Sequence, residues 1–168
     1  MENPLLELQE YENLQEALKK AKGPVQATGT LDSQKVHLMY WLGKDGGFPW
    51  KLVVTYDDQR AREIYDDFRS FTENVWLYPA KDLLFYSADI HGNLMTRQRI
   101  AVWRHLMEEK EGVVVTTLDG LMDHLLPLVF LKQQAVTVEN GQIMDLDEWK
   151  ERLTALGYER NAKVDGMG

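Results

Sequence analysis

The chain has 168 residues with 44% hydrophobic content and no cysteine, enough for one full core and part of a second, but with no means of forming a disulfide or a thiolate metal site. Nineteen Lys and Arg against 27 Asp and Glu leave a net charge of -8, which repels a phosphate backbone at long range and disfavours duplex DNA binding by this chain alone. The longest apolar runs, such as Leu125 to Leu131, fall far short of the roughly 20 residues that span a bilayer, and Met1 is followed by Glu2 rather than by a basic stretch and an apolar segment, so a cytoplasmic protein is expected.

Leu5, Leu6, Leu8, Leu14 and Leu18 recur at helical spacing, and Gly23-Pro24 ends the pattern, predicting an amphipathic helix over residues 4 to 22. Val25 to Gly29 reads as a short strand ending in a turn. Asp32 or Ser33 then caps a helix through Gly43. Lys51 to Thr55 is a β-rich apolar run expected to be buried on both faces, and Asp57 or Asp58 starts a helix carrying Ala61, Ile64, Tyr65, Phe68 and Phe71. Val75 to Tyr78 is the next strand, Leu83 to Tyr86 a short extended piece, and a helix runs from about Leu94 to Glu109. Gly112 to Thr117 is the strongest strand, followed by a short helix from Leu118 to Leu125. Strands alternating with helices imply a three-layer α/β domain with a largely parallel sheet over residues 1–132. Residues 133–168 then read as a partial, smaller α+β domain: a strand at Ala135 to Val138, a turn at Asn140-Gly141, a helix from Asp145 to Leu156, and a strand from Tyr158 to Val164.

The first βα turn of such a sheet is the usual place for phosphate, because glycines admit the anion to backbone N–H groups at a helix N-terminus. Here it reads Gly29-Thr30-Leu31-Asp32-Ser33-Gln34-Lys35-Val36. On phosphate-loop spacing Lys35 takes the lysine position, but Gln34 replaces the second glycine and Val36 the magnesium-binding hydroxyl. Laid instead on Thr28-Gly29 followed directly by a compact loop, the segment has Asp32 where the lysine belongs, and a carboxylate there repels a triphosphate. An inactive site comprising Gly29, Asp32, Ser33, Gln34 and Lys35 is expected, with no catalytic residue. His37, His91, His105 and His124 lack the spacing of a helical zinc pair, and no serine sits in a G-x-S-x-G elbow. Arg97, Arg99 and Arg104 read as a solvated helix face, and Trp41, Trp76 and Trp103 as core; Trp50 and Trp149 could be partly exposed anchors for a partner, with core favoured for every tryptophan but Trp149.

Several strings, in order, resemble the bacterial transcription-repair coupling factors in the N-terminal region that mimics UvrB: Ala27-Thr28-Gly29 with Asp32 to Lys35, Leu52 to Thr55, Leu77 to Ala80 with Asp82, Arg97 to Val102, Val113 to Thr116 and Leu156 to Arg160. The resemblance implies a UvrB-like domain whose phosphate loop has decayed, joined to the opening of an inserted UvrA-binding domain that is cut short at Gly168. It places Arg160, supported by Tyr158, on the strand that faces UvrA. It also implies that this region needs no cofactor, that ATP and magnesium serve a DNA translocase motor elsewhere in the family chain, and that RNA polymerase and DNA are contacted through other domains. Two rival readings stay open: a nucleotide-binding α/β enzyme in which Lys35 contacts phosphate and Asp32 or Asp119 helps hold magnesium, and a UvrB-type protein of damage verification.

Overall fold

A computed structural model of the chain describes residues 2–80, 89–122, 127–134, 138–156 and 158. It divides into two compact units, Met1–Asp123 and His124–Gly168.

The first unit is built on three parallel strands, β1 (Trp50–Thr55), β2 (Val75–Tyr78) and β3 (Gly112–Thr117), in the order β1-β3-β2. All six residues of β3 are buried, as expected of a β-branched run in the middle of a parallel sheet. One sheet face carries Val75, Val113 and Val115 and packs against Val36 of helix α2 (Asp32–Asp45) and Ala61, Ile64 and Phe68 of helix α3 (Asp58–Arg69). The spacing of those three α3 residues puts them on one stripe, and Asp57 caps the helix by accepting from the Arg60 N–H at 2.7 Å. On the other face Val114 and Tyr78 pack against Val102, Trp103 and Leu106 of helix α4 (Asp89–Glu108). Helices on both faces of an all-parallel sheet make the expected α/β architecture.

Trp50 and Trp76 stand on either side of Gly112 on the α4 face, their rings 5.6 Å apart, and His105 of α4 stacks on Trp76 at 4.6 Å. Trp50 therefore belongs with the core. Trp149 is half-buried in the second unit.

The sequence expectation fails at three places in this unit. Lys51 to Thr55 is not buried on both faces: Leu52 is 58% and Val54 44% exposed, because among the described residues β1 lies at the edge of the sheet and the α4-side core gathers over β2 and β3. Val25 to Gly29 forms no ladder among the described residues, and Gln26, Ala27 and Thr28 are exposed. Strand-forming residues yield a strand only where a neighbouring backbone is available. Arg99 is not solvated; it is buried, donates from Nη1 to the Pro79 carbonyl at 2.7 Å and lies 4.3 Å from the Tyr78 ring centre. Arg97 and Arg104 are exposed, Arg104 beside Glu108 at 3.8 Å.

The predicted N-terminal helix is a 3-10 turn (Pro4–Glu7) followed by helix α1 (Gln9–Lys20). It is tied to the far end of α2 through the Asp45 carboxylate. One oxygen accepts from Asn3 Nδ2 at 2.6 Å, Tyr11 Oη at 2.7 Å and Gln15 Nε2 at 3.2 Å. A carboxylate at a helix C-terminus opposes the helix dipole, and three donors offset that cost. Burial, reinforced by Asp45, pushes the Tyr11 phenol up from 10.0 to about 12, against a smaller opposing effect of Asn3. Since the folded value lies above the unfolded one, this stabilisation is whole below pH 10 and is lost as pH rises towards 12. We expect raising the pH from 8 to 11 to cost the wild-type chain more unfolding free energy, by roughly 1 to 2 kcal/mol, than Tyr11→Phe, as read by urea titration. Equal losses in the two proteins would remove Tyr11 as the cause.

Helix α5 (Leu118–Leu121) follows β3 directly, its Gly120 N–H donating to Thr117 Oγ1 at 3.2 Å. The second unit contains α6 (Leu128–Gln134) and α7 (Leu146–Ala155), with Asp145 capping α7 by accepting from the Asp147 and Glu148 N–H groups. The sequence boundary near Gln133 falls at the end of α6. Helix α7 matches the expected helix, and positive φ at Gly141, 86°, marks the expected turn. The extended piece at Leu83 to Tyr86 lies outside the described residues, as do all of the strand at Ala135 to Val138 except Val138 and all of that at Tyr158 to Val164 except Tyr158. No helix among the described residues is long and apolar enough to cross a membrane.

Candidate functional site

The loop that enters α2 holds the residues singled out by phosphate-loop spacing. Gly29 has φ +83°, a left-handed turn open to glycine, with no neighbouring atom that a side chain would meet. The helix begins one residue earlier than a capping Asp32 requires and two earlier than a capping Ser33: Leu31 is the N-cap and offers no side-chain acceptor. Its own N–H donates to Gln34 Oε1 at 3.1 Å, the reverse half of a capping box, and its carbonyl accepts from the N–H groups of Gln34 at 3.0 Å and Lys35 at 3.2 Å.

Asp32, now in the first helical turn, occupies the electropositive end of α2 with its own carboxylate. Its Oδ1 accepts from Lys35 Nζ at 2.7 Å and lies 3.3 Å from Arg60 of α3, which also donates to Glu63 at 2.9 Å. The Lys35 hydrogen bond, with the Arg60 charge behind it, holds the Asp32 carboxyl below its ordinary range. The Arg60 bond likewise lowers Glu63, and Glu63 in turn raises Arg60. Lys35, Asp32, Arg60 and Glu63 thus form an alternating row of charges with no net excess. Exposed pairs of this kind contribute little to stability. Their consequence is electrostatic, because an incoming phosphate meets a fixed negative charge beside the only lysine of the loop. Ser33 and Gln34 are exposed at the same turn, and Gln34 carries a side chain where a phosphate loop needs bare backbone.

A cleft of about 430 Å³ opens beside this turn, walled by Leu8, Tyr11 and Leu14 of the N-terminal segment and by Thr28, Gln34 and His37. It is mainly apolar. His37 is half-buried, and its Nε2 accepts from Trp41 Nε1 at 2.9 Å. Asp119 is exposed in the first turn of α5.

Tyr158 is 63% exposed just beyond α7, its N–H donating to the Leu153 carbonyl at 3.1 Å, and Arg160 lies outside the described residues. The structure therefore joins Asp32 to Lys35 in one cluster and adds Arg60 and Glu63, which the sequence reading missed. The Arg60–Glu63 spacing on one helix was a visible signal; the approach of Arg60 to Asp32 depends on how α2 packs on α3 and had none.

No protein-family model matches the chain. It is similar to the transcription-repair-coupling factor of Staphylococcus haemolyticus (strain JCSC1435), 24% identical over 119 residues, which make up 70% of this chain and 10% of that protein. The transcription-repair-coupling factor of Staphylococcus aureus (strain USA300) aligns with the same identity and coverage. The chain thus spans about a tenth of the length of the curated relatives it matches. Over that stretch the chain is similar to the transcription-repair-coupling factors, the family its sequence strings resemble.

Proposed function

We propose that this chain is a non-catalytic, partner-docking module of transcription-coupled nucleotide excision repair, working by recruiting UvrA while RNA polymerase and DNA are engaged through other domains of a longer protein. The observation that carries the non-catalytic half is the Asp32 carboxylate at the N-terminus of α2, paired with Lys35 and Arg60 where a nucleotide phosphate would sit. Similarity to transcription-repair-coupling factors supports the repair half. The docking residues on this reading are Arg160, with Tyr158 in support, in the second unit. ATP and magnesium then belong to a motor outside this region, and this region holds neither.

The cleft beside Thr28 and Gln34 favours one rival, a nucleotide-binding protein that seats a base between α1 and α2. Titration with a fluorescent ATP analogue and magnesium separates the two. We expect no saturable binding up to millimolar nucleotide, and no difference between wild type and Lys35→Ala. Micromolar binding abolished by Lys35→Ala would replace the docking reading with a nucleotide-dependent one. The same preparation should bind UvrA, with Arg160→Ala weakening the complex by about 2 kcal/mol, roughly 30-fold, if Arg160 is an interfacial anchor. Undiminished UvrA affinity in Arg160→Ala would remove it from the interface.

A further inference from the structure

We propose that β1 is a self-complementary edge through which two copies of this chain pair, antiparallel, into one continuous six-stranded sheet. The inference rests on the sheet alone and is independent of the repair reading.

Among the described residues no strand pairs with the outer edge of β1. The Pro49 carbonyl accepts from the Gly112 N–H at 2.8 Å, which fixes the alternation: Pro49, Lys51, Val53 and Thr55 turn their main-chain groups towards β3, and Trp50, Leu52 and Val54 turn theirs outward. The side chains of that outward set stand on the α4 face, where Leu52 is 58% and Val54 44% exposed; Tyr56, just past the strand, is 78% exposed. An edge with open backbone groups and exposed apolar side chains is a template for another strand, and β1 contains no proline and no bulge to blunt it.

A two-fold axis through Val53 makes the strand its own best partner. Leu52 then lies opposite the second copy's Val54 as a hydrogen-bonded pair, and Val54 opposite its Leu52, so the exposed residues cover one another. Trp50 falls beside the second copy's Tyr56. Lys51 lies opposite Thr55 and diagonal to Asp57, whose carboxylate is held in place by capping α3. Two-fold pairing also closes the assembly, since each copy uses its only open β1 edge.

Sedimentation velocity from low micromolar to several hundred micromolar chain tests this. We expect a concentration-dependent species of twice the 19.5 kDa of one chain. Leu52→Glu with Val54→Glu places carboxylates opposite carboxylates at two exposed positions and should sediment as a monomer throughout, with the far-UV circular dichroism of the parent. Val53→Cys, in a chain without cysteine, should oxidise to a covalent dimer because the two Val53 residues meet at the axis. The cysteine variant tests the pairing even if the double glutamate variant fails to fold. A wild-type chain that stays monomeric, a dimer that persists in the double glutamate variant, an assembly larger than two, or no covalent dimer from Val53→Cys would overturn the proposal.

Discussion

Phe68→Ala should lower the unfolding free energy of the first unit by about 3 to 5 kcal/mol. Phe68 is 1% exposed at the centre of the α3 stripe and packs with Val36, Ile64, Val75, Val113 and Val115. Truncation removes the ring's transfer free energy and leaves a hole bounded by a helix on one side and a three-stranded sheet on the other. Neither side can collapse far without breaking ladder or helix hydrogen bonds, so most of the cavity cost stays. Domains of this size have total stabilities of about 5 to 15 kcal/mol, and the variant should show a much lower urea midpoint with an unchanged slope. Ile64→Val, in the same cluster at 7% exposure, should cost only about 0.5 to 1.5 kcal/mol. A Phe68→Ala loss no larger than that of Ile64→Val would mean that α3 is not packed on the sheet as described.

Gly112→Val is expected to be the most damaging single change on the opposite face. A Cβ at Gly112 would run into the Trp76 ring and come within 2.8 Å of the Trp50 ring. Large rings can turn aside at low cost only when they are free, and these are not: Trp76 is stacked on His105, and Trp50 leans on Trp76. Overpacking of this kind costs about 1 to 3 kcal/mol, and more when backbone must move. Here the strand itself is displaced at the point where it pairs with both Trp50 and, one residue on, Val75. The expected readout is a lower thermal midpoint with a red-shifted tryptophan emission in the folded state. Wild-type stability in Gly112→Val would show that the two rings move apart freely.

The parts legible in the sequence are those that local pattern controls. Ala61, Ile64 and Phe68 mark the buried stripe of α3, and the valines of β3 announce a central strand, because burial on both faces removes any need for alternation. The same logic misled at Leu52 and Val54. An edge strand and a central strand share β-forming composition, and only the order β1-β3-β2 tells them apart. Val25 to Thr28 shows the converse, strand chemistry without a strand, for want of a backbone to pair with. Arg99 reads as a surface cation because its acceptor, the Pro79 carbonyl, lies on a distant segment. At the site, spacing was enough to find Lys35 and to see that Gln34 and Val36 are wrong for phosphate. It was not enough to find Arg60, whose meeting with Asp32 is a product of tertiary packing.

The position of β3 has a consequence for the order in which the molecule can be made. It is the last of the three strands to be synthesised and the one on which both others depend, since β1 and β2 touch only through it. A nascent chain that has not yet delivered Gly112–Thr117 holds two unpaired strands and three helices, α2, α3 and α4, whose apolar residues have no complete sheet to cover. Local helical structure can form early, but the long-range parallel pairing cannot begin until about two thirds of the chain is available, which makes late, cooperative closure the expected course of folding.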